Sequence, residues 1–155
     1  MRALWLVCRS SSFVALCPCA AVAVGGIHCQ VLATSALIAF VATAAPERAK
    51  TFYRDVLGLP LRSDEEYALV FDANGTMLRV AKVEALTPLD RTVVGWQVED
   101  IESVARQLGE RGVQFERYGW MDQDDLGIWT TQDGSRVAWF RDPEGNVLSL
   151  TQFSV

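Results

Sequence analysis

From Ala36 to its end this 155-residue chain has no histidine and no cysteine; His28, Cys8, Cys17, Cys19 and Cys29 all precede that point. Their absence excludes, for that part, a disulfide framework, a Cys or Ser nucleophile activated by His, and a zinc or iron site built on imidazole or thiolate. Basic charge is also scarce. Arg2 and Arg9 are the only charged side chains before Glu47, so the part from Ala36 onward holds 12 basic against 19 acidic residues, a formal charge of about −7. Such a surface argues against a nucleic-acid partner, because phosphate binding needs clustered Lys and Arg. No uncharged apolar run reaches the roughly 20 residues that a bilayer-spanning helix needs. The longest, from Phe13 to Ile27, is broken by Pro18 and Gly25-Gly26.

Residues 1–35 differ in character from the rest of the chain. Two readings stand side by side. A basic start, an apolar core and Ala21-Val22-Ala23 resemble an export signal; alternatively the segment is upstream sequence translated from a start site assigned too early. A disordered or packed extension is a third possibility, whereas Cys17-x-Cys19 with His28-Cys29 does not have ordinary zinc spacing. Residues 36–155 are expected to form one domain, long enough to bury its own core.

What is present from Ala36 onward is ordered twice over. Pro46 to Leu57 places apolar groups at 49, 52, 53, 56 and 57, the stripe of a helix buried on one face, with Pro46 at its first position and Gly58 as the left-handed residue after its end. Asp100 caps a second helix with the stripe Ile101, Val104, Ala105 and Leu108, closed by Gly112. A strand precedes each helix: Leu37–Val41 and Val93–Val98. Further strands come after each. Ala68–Phe71 and Thr76–Val80 flank the hairpin signal Asn74-Gly75; Gly127–Thr130 and Val137–Phe140 flank Asp133-Gly134. The remaining strands are Leu61–Ser63, Val113–Glu116 and Val147–Thr151. The class is α+β, β-α-β-β-β twice.

The helix ending Phe52-Tyr53-Arg54-Asp55-Val56-Leu57-Gly58 and the turn Asp142-Pro143-Glu144-Gly145-Asn146, in this order and repeat position, resemble the vicinal oxygen chelate superfamily of glyoxalases, extradiol dioxygenases and bleomycin-resistance proteins. The resemblance covers roughly Ala36 to Phe153. It implies two βαβββ modules that curl into an open, barrel-like cleft, commonly in a homodimer and commonly around a metal ion. By that resemblance the metal ligands would stand at Ile38, Arg79, Val93 and Ser149. Two of these are hydrocarbon, one is a weak hydroxyl and one is itself a cation, so neither a metal nor another cofactor is expected.

Strand alternation turns Met77, Arg79 and Ala81 toward the cleft, together with Phe40, Gly95, Gln97, Val147, Ser149 and Thr151. A guanidinium among apolar groups needs an anionic partner, either a ligand or an internal acid such as Asp72 or Glu84. Arg79, Gln97, Ser149, Phe40, Thr151 and Trp129 are therefore the candidate ligand contacts, with Trp139, Tyr118 and Trp120 as further aromatic walls or core. Gly119–Gly127 reads as a polar lid loop; its acids lack the alternation of a calcium loop. The expected function is binding of a small molecule, with anion recognition by Arg79, in a cytoplasmic domain; export is the alternative if residues 1–35 are a signal. A glyoxalase-like lyase or isomerase with a non-standard site, and a structural or protein-interaction role, are the other readings.

Overall fold

The computed structural model describes residues 31–154. The readings of residues 1–30 lie outside the described residues. Residues 31–35 form a turn closed by the Ser35 N–H donating to the Leu32 carbonyl at 3.0 Å.

From Ala36 onward the chain makes β1 (Ile38–Thr43), α1 (Pro46–Thr51), β2 (Leu61–Asp64), β3 (Ala68–Ala73) and β4 (Thr76–Lys82). It then repeats the order with β5 (Thr92–Gln97), α2 (Ile101–Glu110), β6 (Trp129–Thr130), β7 (Arg136–Arg141) and β8 (Val147–Gln152). Two four-stranded sheets result, ordered β1-β4-β3-β2 and β5-β8-β7-β6, each with its first pair parallel and the rest antiparallel. The sheets approach each other along β1 and β5 without hydrogen-bonding into one barrel, which leaves an open cleft. This is the expected α+β, twofold βαβββ arrangement.

Local chemistry explains the elements. Asn74 and Gly75, at φ 52° and 86°, make a two-residue turn with both central residues left-handed, whose twist matches a hairpin. Asp100 accepts from the Ser103 N–H at 3.0 Å and starts α2. The first helix changes character after Thr51: Phe52–Val56 form a π-helical turn, with the Leu57 N–H reaching the Phe52 carbonyl at 2.9 Å. Ala49 and Tyr53 are fully buried on its inner side.

Two expected strands shrink. Val113–Glu116 contributes only one bridge, Phe115 to Phe140, and Gly127–Thr130 pairs only at Trp129–Thr130. Side-chain brackets divert the backbone between them. The Gln123 amide accepts from the Tyr118 N–H (2.7 Å) and donates to the carbonyls of Glu116 (3.0 Å) and Gly127 (2.7 Å). The Asp124 carboxylate accepts from the Leu126 and Ile128 N–H groups, both at 2.9 Å. The stretch expected to be a polar lid is thus a loop braced by its own polar groups.

One continuous core joins the modules, with Tyr53, Leu69, Phe71, Leu78 and Val80 from the first and Ile101, Leu108, Ala138, Phe140 and Leu148 from the second. Within it lies a polar junction. The Tyr53 O–H donates to Asp142 Oδ2 at 2.9 Å, and the same carboxylate accepts from the backbone N–H of Glu144 and Asn146 and from Asn146 Nδ2. Asn146 Nδ2 also reaches the Ala42 carbonyl at 3.0 Å, and Glu144 accepts from the Ala44 N–H at 3.1 Å. Burial, followed by the adjacent Asp142 charge and the hydrogen bond to it, raises the Tyr53 hydroxyl well above the ordinary tyrosine range.

Replacing Tyr53 with Phe removes the donor but keeps the ring, and should lower unfolding free energy by about 1–3 kcal/mol in urea titration. A pH effect accompanies it. Because the folded state holds this phenol's proton more tightly than the unfolded chain does, its contribution is complete below the ordinary tyrosine value near ~10 and falls as pH rises beyond it. Tyr53→Phe should therefore flatten the loss of stability above that pH; an unchanged slope would contradict the assignment.

Candidate functional site

The faces of the two sheets turned away from the helices carry the polar and aromatic groups. In the first sheet Leu78 and Val80 are buried in the core, while Met77 and Arg79 alternate to the other face. Register aligns Phe40, Arg79 and Val70 in one row and Ile38, Met77 and Asp72 in the next. Ile38, Phe40 and Met77 are 45%, 61% and 41% exposed, so this row structure presents hydrocarbon to solvent. In the second sheet Ala138, Phe140, Leu148 and Leu150 face α2 and the core. The opposite face carries the row Gly95, Ser149, Trp139 and the row Gln97, Thr151, Val137, Trp129.

All six candidate contacts therefore lie on these faces, in two groups. Phe40 and Arg79 are register neighbours on the first sheet; Ser149, Gln97, Thr151 and Trp129 share the second. The face is open rather than enclosed. A cavity of ≈ 170 Å³ lies on the helix side, lined by Leu57, Trp96, Leu108 and Phe140 among others, and one of ≈ 480 Å³ runs along the seam between β1 and β5; of the six, only Gln97 lines either.

Arg79 has an internal partner, and it is neither Asp72 nor Glu84. Its Nη2 lies 2.7 Å from Glu65 Oε2, and Glu65 also accepts from the Ser63 hydroxyl at 2.9 Å. Arg79, followed by Ser63, holds the Glu65 carboxyl below the ordinary glutamate range. Asp72 is instead paired with Arg62. Close by, Asp64 bridges Lys50 (2.8 Å) and Lys82 (2.7 Å), which keeps its carboxyl at about 2.

Val93 is not the counterpart of Ile38. The β5–β8 register pairs Thr92 with Val147 and Val94 with Leu148, so Val93 is the extra residue of a bulge and packs against the core. Thr92 takes the place in the repeat that Ile38 holds. Among the described residues no three His, Cys, Asp or Glu side chains are grouped so as to hold a metal ion.

Several residues of this face escaped the sequence reading. Arg141 comes after Val137 and Trp139 at the strand period, which would have placed it here. Its guanidinium lies 3.3 Å from Glu116 and 3.2 Å from Asp90. Glu65, Glu116 and Asp90 lie in loops, where no period announces a face. Trp139 stands between Trp129 (centroids 6.2 Å) and Tyr118 (5.6 Å, edge to face), and Tyr118 lies 6.0 Å from Trp120. Burial, then the Glu116 charge, raises the Tyr118 hydroxyl above its ordinary value.

Gly95 sits under Ser149 so closely that a Cβ built on it would lie 2.5 Å from Ser149 Oγ, with the next contacts at 3.6 Å and beyond. Gly95→Ala should cost about 1 kcal/mol or more by overpacking. Ser149→Ala in the same chain should recover most of that loss in denaturant titration, since the clash is with the hydroxyl alone; equal losses in single and double variants would locate it elsewhere.

A family model described as Glyoxalase/Bleomycin resistance protein/Dioxygenase superfamily matches residues 34–150. The fold is similar to a lactoylglutathione lyase from Agrobacterium tumefaciens, with a TM-score of 0.61 at 16% identity over 77% of this chain and 93% of that one. It is equally similar to a glyoxalase/bleomycin resistance protein/dioxygenase from Alicyclobacillus acidocaldarius, with a TM-score of 0.61 at 16% identity over 79% and 93%. A glyoxalase/bleomycin resistance protein from Catenulispora acidiphila gives a TM-score of 0.58 at 22% identity over 77% and 98%. No curated protein matches in sequence. No helix among the described residues is long and apolar enough to cross a membrane.

Proposed function

This chain belongs to the Glyoxalase/Bleomycin resistance protein/Dioxygenase superfamily, and we propose that it binds a small organic molecule on the open inner face of its two sheets, without a metal ion. The observation that carries this reading is the juxtaposition on one face of exposed hydrocarbon, Phe40 and Met77, with the Arg79–Glu65 pair, 27% and 45% exposed at their side chains. Apolar surface with a few fixed polar groups is the ordinary make-up of a small-molecule site. Gln97, Ser149, Thr151 and Trp129 supply the facing contacts. The reading includes a cytoplasmic homodimer.

Arg79 is neutralised by Glu65, so it meets a ligand as a hydrogen-bond donor beside an acceptor rather than as a bare charge. A carboxylate ligand would have to take Glu65's place on the guanidinium or share it. The metal-free part of the proposal rests on donor chemistry: Ile38 and Val93 have no donor atom, Arg79 is itself a cation, and Ser149 and Thr92, which replaces Val93 in the repeat, offer only neutral hydroxyls, weak ligands for a divalent cation. A lyase or isomerase reading finds little support. The domain has no histidine, and Glu65, the carboxylate nearest Arg79, is held below its ordinary range, which makes it a weak base at neutral pH.

The test is a binding screen of small carboxylates, each paired with its neutral amide. A hit is expected to raise the melting temperature, to survive chelator treatment, and to lose about 10- to 100-fold in affinity on Arg79→Ala. Glu65→Gln should shift preference toward the carboxylate member of each pair. Binding abolished by chelator and restored by nickel or zinc would reject the metal-free reading, and unchanged affinity in Arg79→Ala would reject the anchor.

A further inference from the structure

We propose that the helix side of the domain holds a second binding site, a cavity that takes an uncharged hydrocarbon group about the size of a benzene ring. It is separate from the open inner face, and it stands whether or not that face binds a ligand.

The cavity, of ≈ 170 Å³, lies where the first helix and α2 end near each other. Leu57 and Leu59 come from the chain just past the first helix, and Val104 and Leu108 from α2. Phe140 of β7 and Leu150 of β8, 0% and 3% exposed, close it from the core side. Protein interiors pack so closely that voids larger than a water molecule are few, so a space of this size has a local cause.

That cause is the way the first helix stops. The π-helical turn over Phe52–Val56 carries more residues than an α turn, so the side chains after it leave the stripe set by Ala49 and Tyr53. Gly58, at φ 75°, then turns the chain, and the Leu59 N–H closes the end on the Tyr53 carbonyl at 2.9 Å. From the end of α2 the Arg111 guanidinium donates to the Val56 carbonyl at 2.9 Å. This bond fills a carbonyl that the helix end leaves free and ties the two helix ends together. Leu57 and Leu108 are thereby held at the edges of the cavity rather than drawn together across it.

The lining sets the ligand. Among the described residues eight of the nine that line the cavity are apolar, and the ninth, Gln97, is exposed at the rim, where water can satisfy its amide. Leu57, Leu59, Trp96, Val98 and Val104 are half-buried, so the mouth is as apolar as the floor. Water is held in a cavity only by two to four polar partners, and an apolar cavity of about 150 Å³ stays dry and takes benzene. Volume gives the size of the occupant here, and lining gives its class. A charged group would lose its hydration and meet no partner inside. Arg111, the cation at the edge, is already engaged by the Val56 carbonyl.

The test titrates toluene into the full chain and follows side-chain methyl signals by NMR, with benzoate as the charged ring. Toluene is expected to shift the methyls of Leu57, Val104, Leu108 and Leu150 saturably within its aqueous solubility, to leave those of Ile38 and Met77 on the open face in place, and to raise the melting temperature. Benzoate should bind at the same methyls about tenfold or more weakly. Val104→Phe and Leu57→Phe, which put a ring into the space from α2 and from the first helix end, should each weaken toluene by about tenfold or more. No saturation, shifts centred on Ile38 and Met77, or equal affinities for toluene and benzoate at the cavity methyls would overturn the site. So would unchanged toluene binding in a folded filling variant. If neither variant folds, nuclear Overhauser contacts in the unmodified chain decide: contacts from toluene to Leu57 and Leu108 support the cavity, and contacts elsewhere alone overturn it.

Discussion

Everything in this domain hangs on one buried carboxylate. Asp142 is 5% exposed and accepts the Tyr53 hydroxyl, two backbone N–H groups and the Asn146 amide. A charge withdrawn from water to that degree is stable only when its lone pairs are filled, and here one of the donors comes from the first module while the rest come from the turn itself. The turn is therefore shaped by its own backbone and fixed in space by α1 and the end of β1. Asn146 completes the link by bonding the Ala42 carbonyl, and Arg48 adds a bond to the Pro143 carbonyl at 2.9 Å.

That junction determines where the open faces of the two sheets lie. Asp142 sits between β7 and β8, so holding it against α1 sets the position of both strands relative to β1. The rows Gly95, Ser149, Trp139 and Phe40, Arg79, Val70 then occupy equivalent places in the two modules. What the repeat has done with these equivalent places is opposite. One module puts a guanidinium at the row's centre, with its carboxylate partner drawn from a loop. The other puts a small hydroxyl there, with a tryptophan beside it and no side chain at all on the other flank.

Much of the fold was legible in the sequence because it is written in local chemistry. Helix stripes, the Asp100 cap, left-handed glycines and the Asn74-Gly75 turn are short-range signals whose energies do not depend on distant parts of the chain. The inward facing of Arg79, Ser149 and Gln97 came from the period of a strand. The strand expected at Val113–Glu116 failed for the complementary reason: Gln123, seven residues on from Glu116, captures backbone groups that a sheet ladder would otherwise have used, and its side chain carries no periodic signature. Val93, placed by the resemblance as the counterpart of Ile38, failed because a bulge inserts one residue at the start of β5, which spacing along the chain does not reveal.

The order of elements, the twofold repeat and the inventory of groups able to do chemistry were determined by the sequence alone, since each depends only on which residues are present and how they are spaced. The partners of its charges were decided by the tertiary structure. Glu65 reaches Arg79 across a hairpin, Glu116 and Asp90 reach Arg141 from separate loops, and Tyr118 meets Trp139 from a segment with no regular structure. A Coulombic or aromatic contact forms wherever the packed backbone brings two groups within a few ångströms, and separation along the chain sets no rule for where that will be.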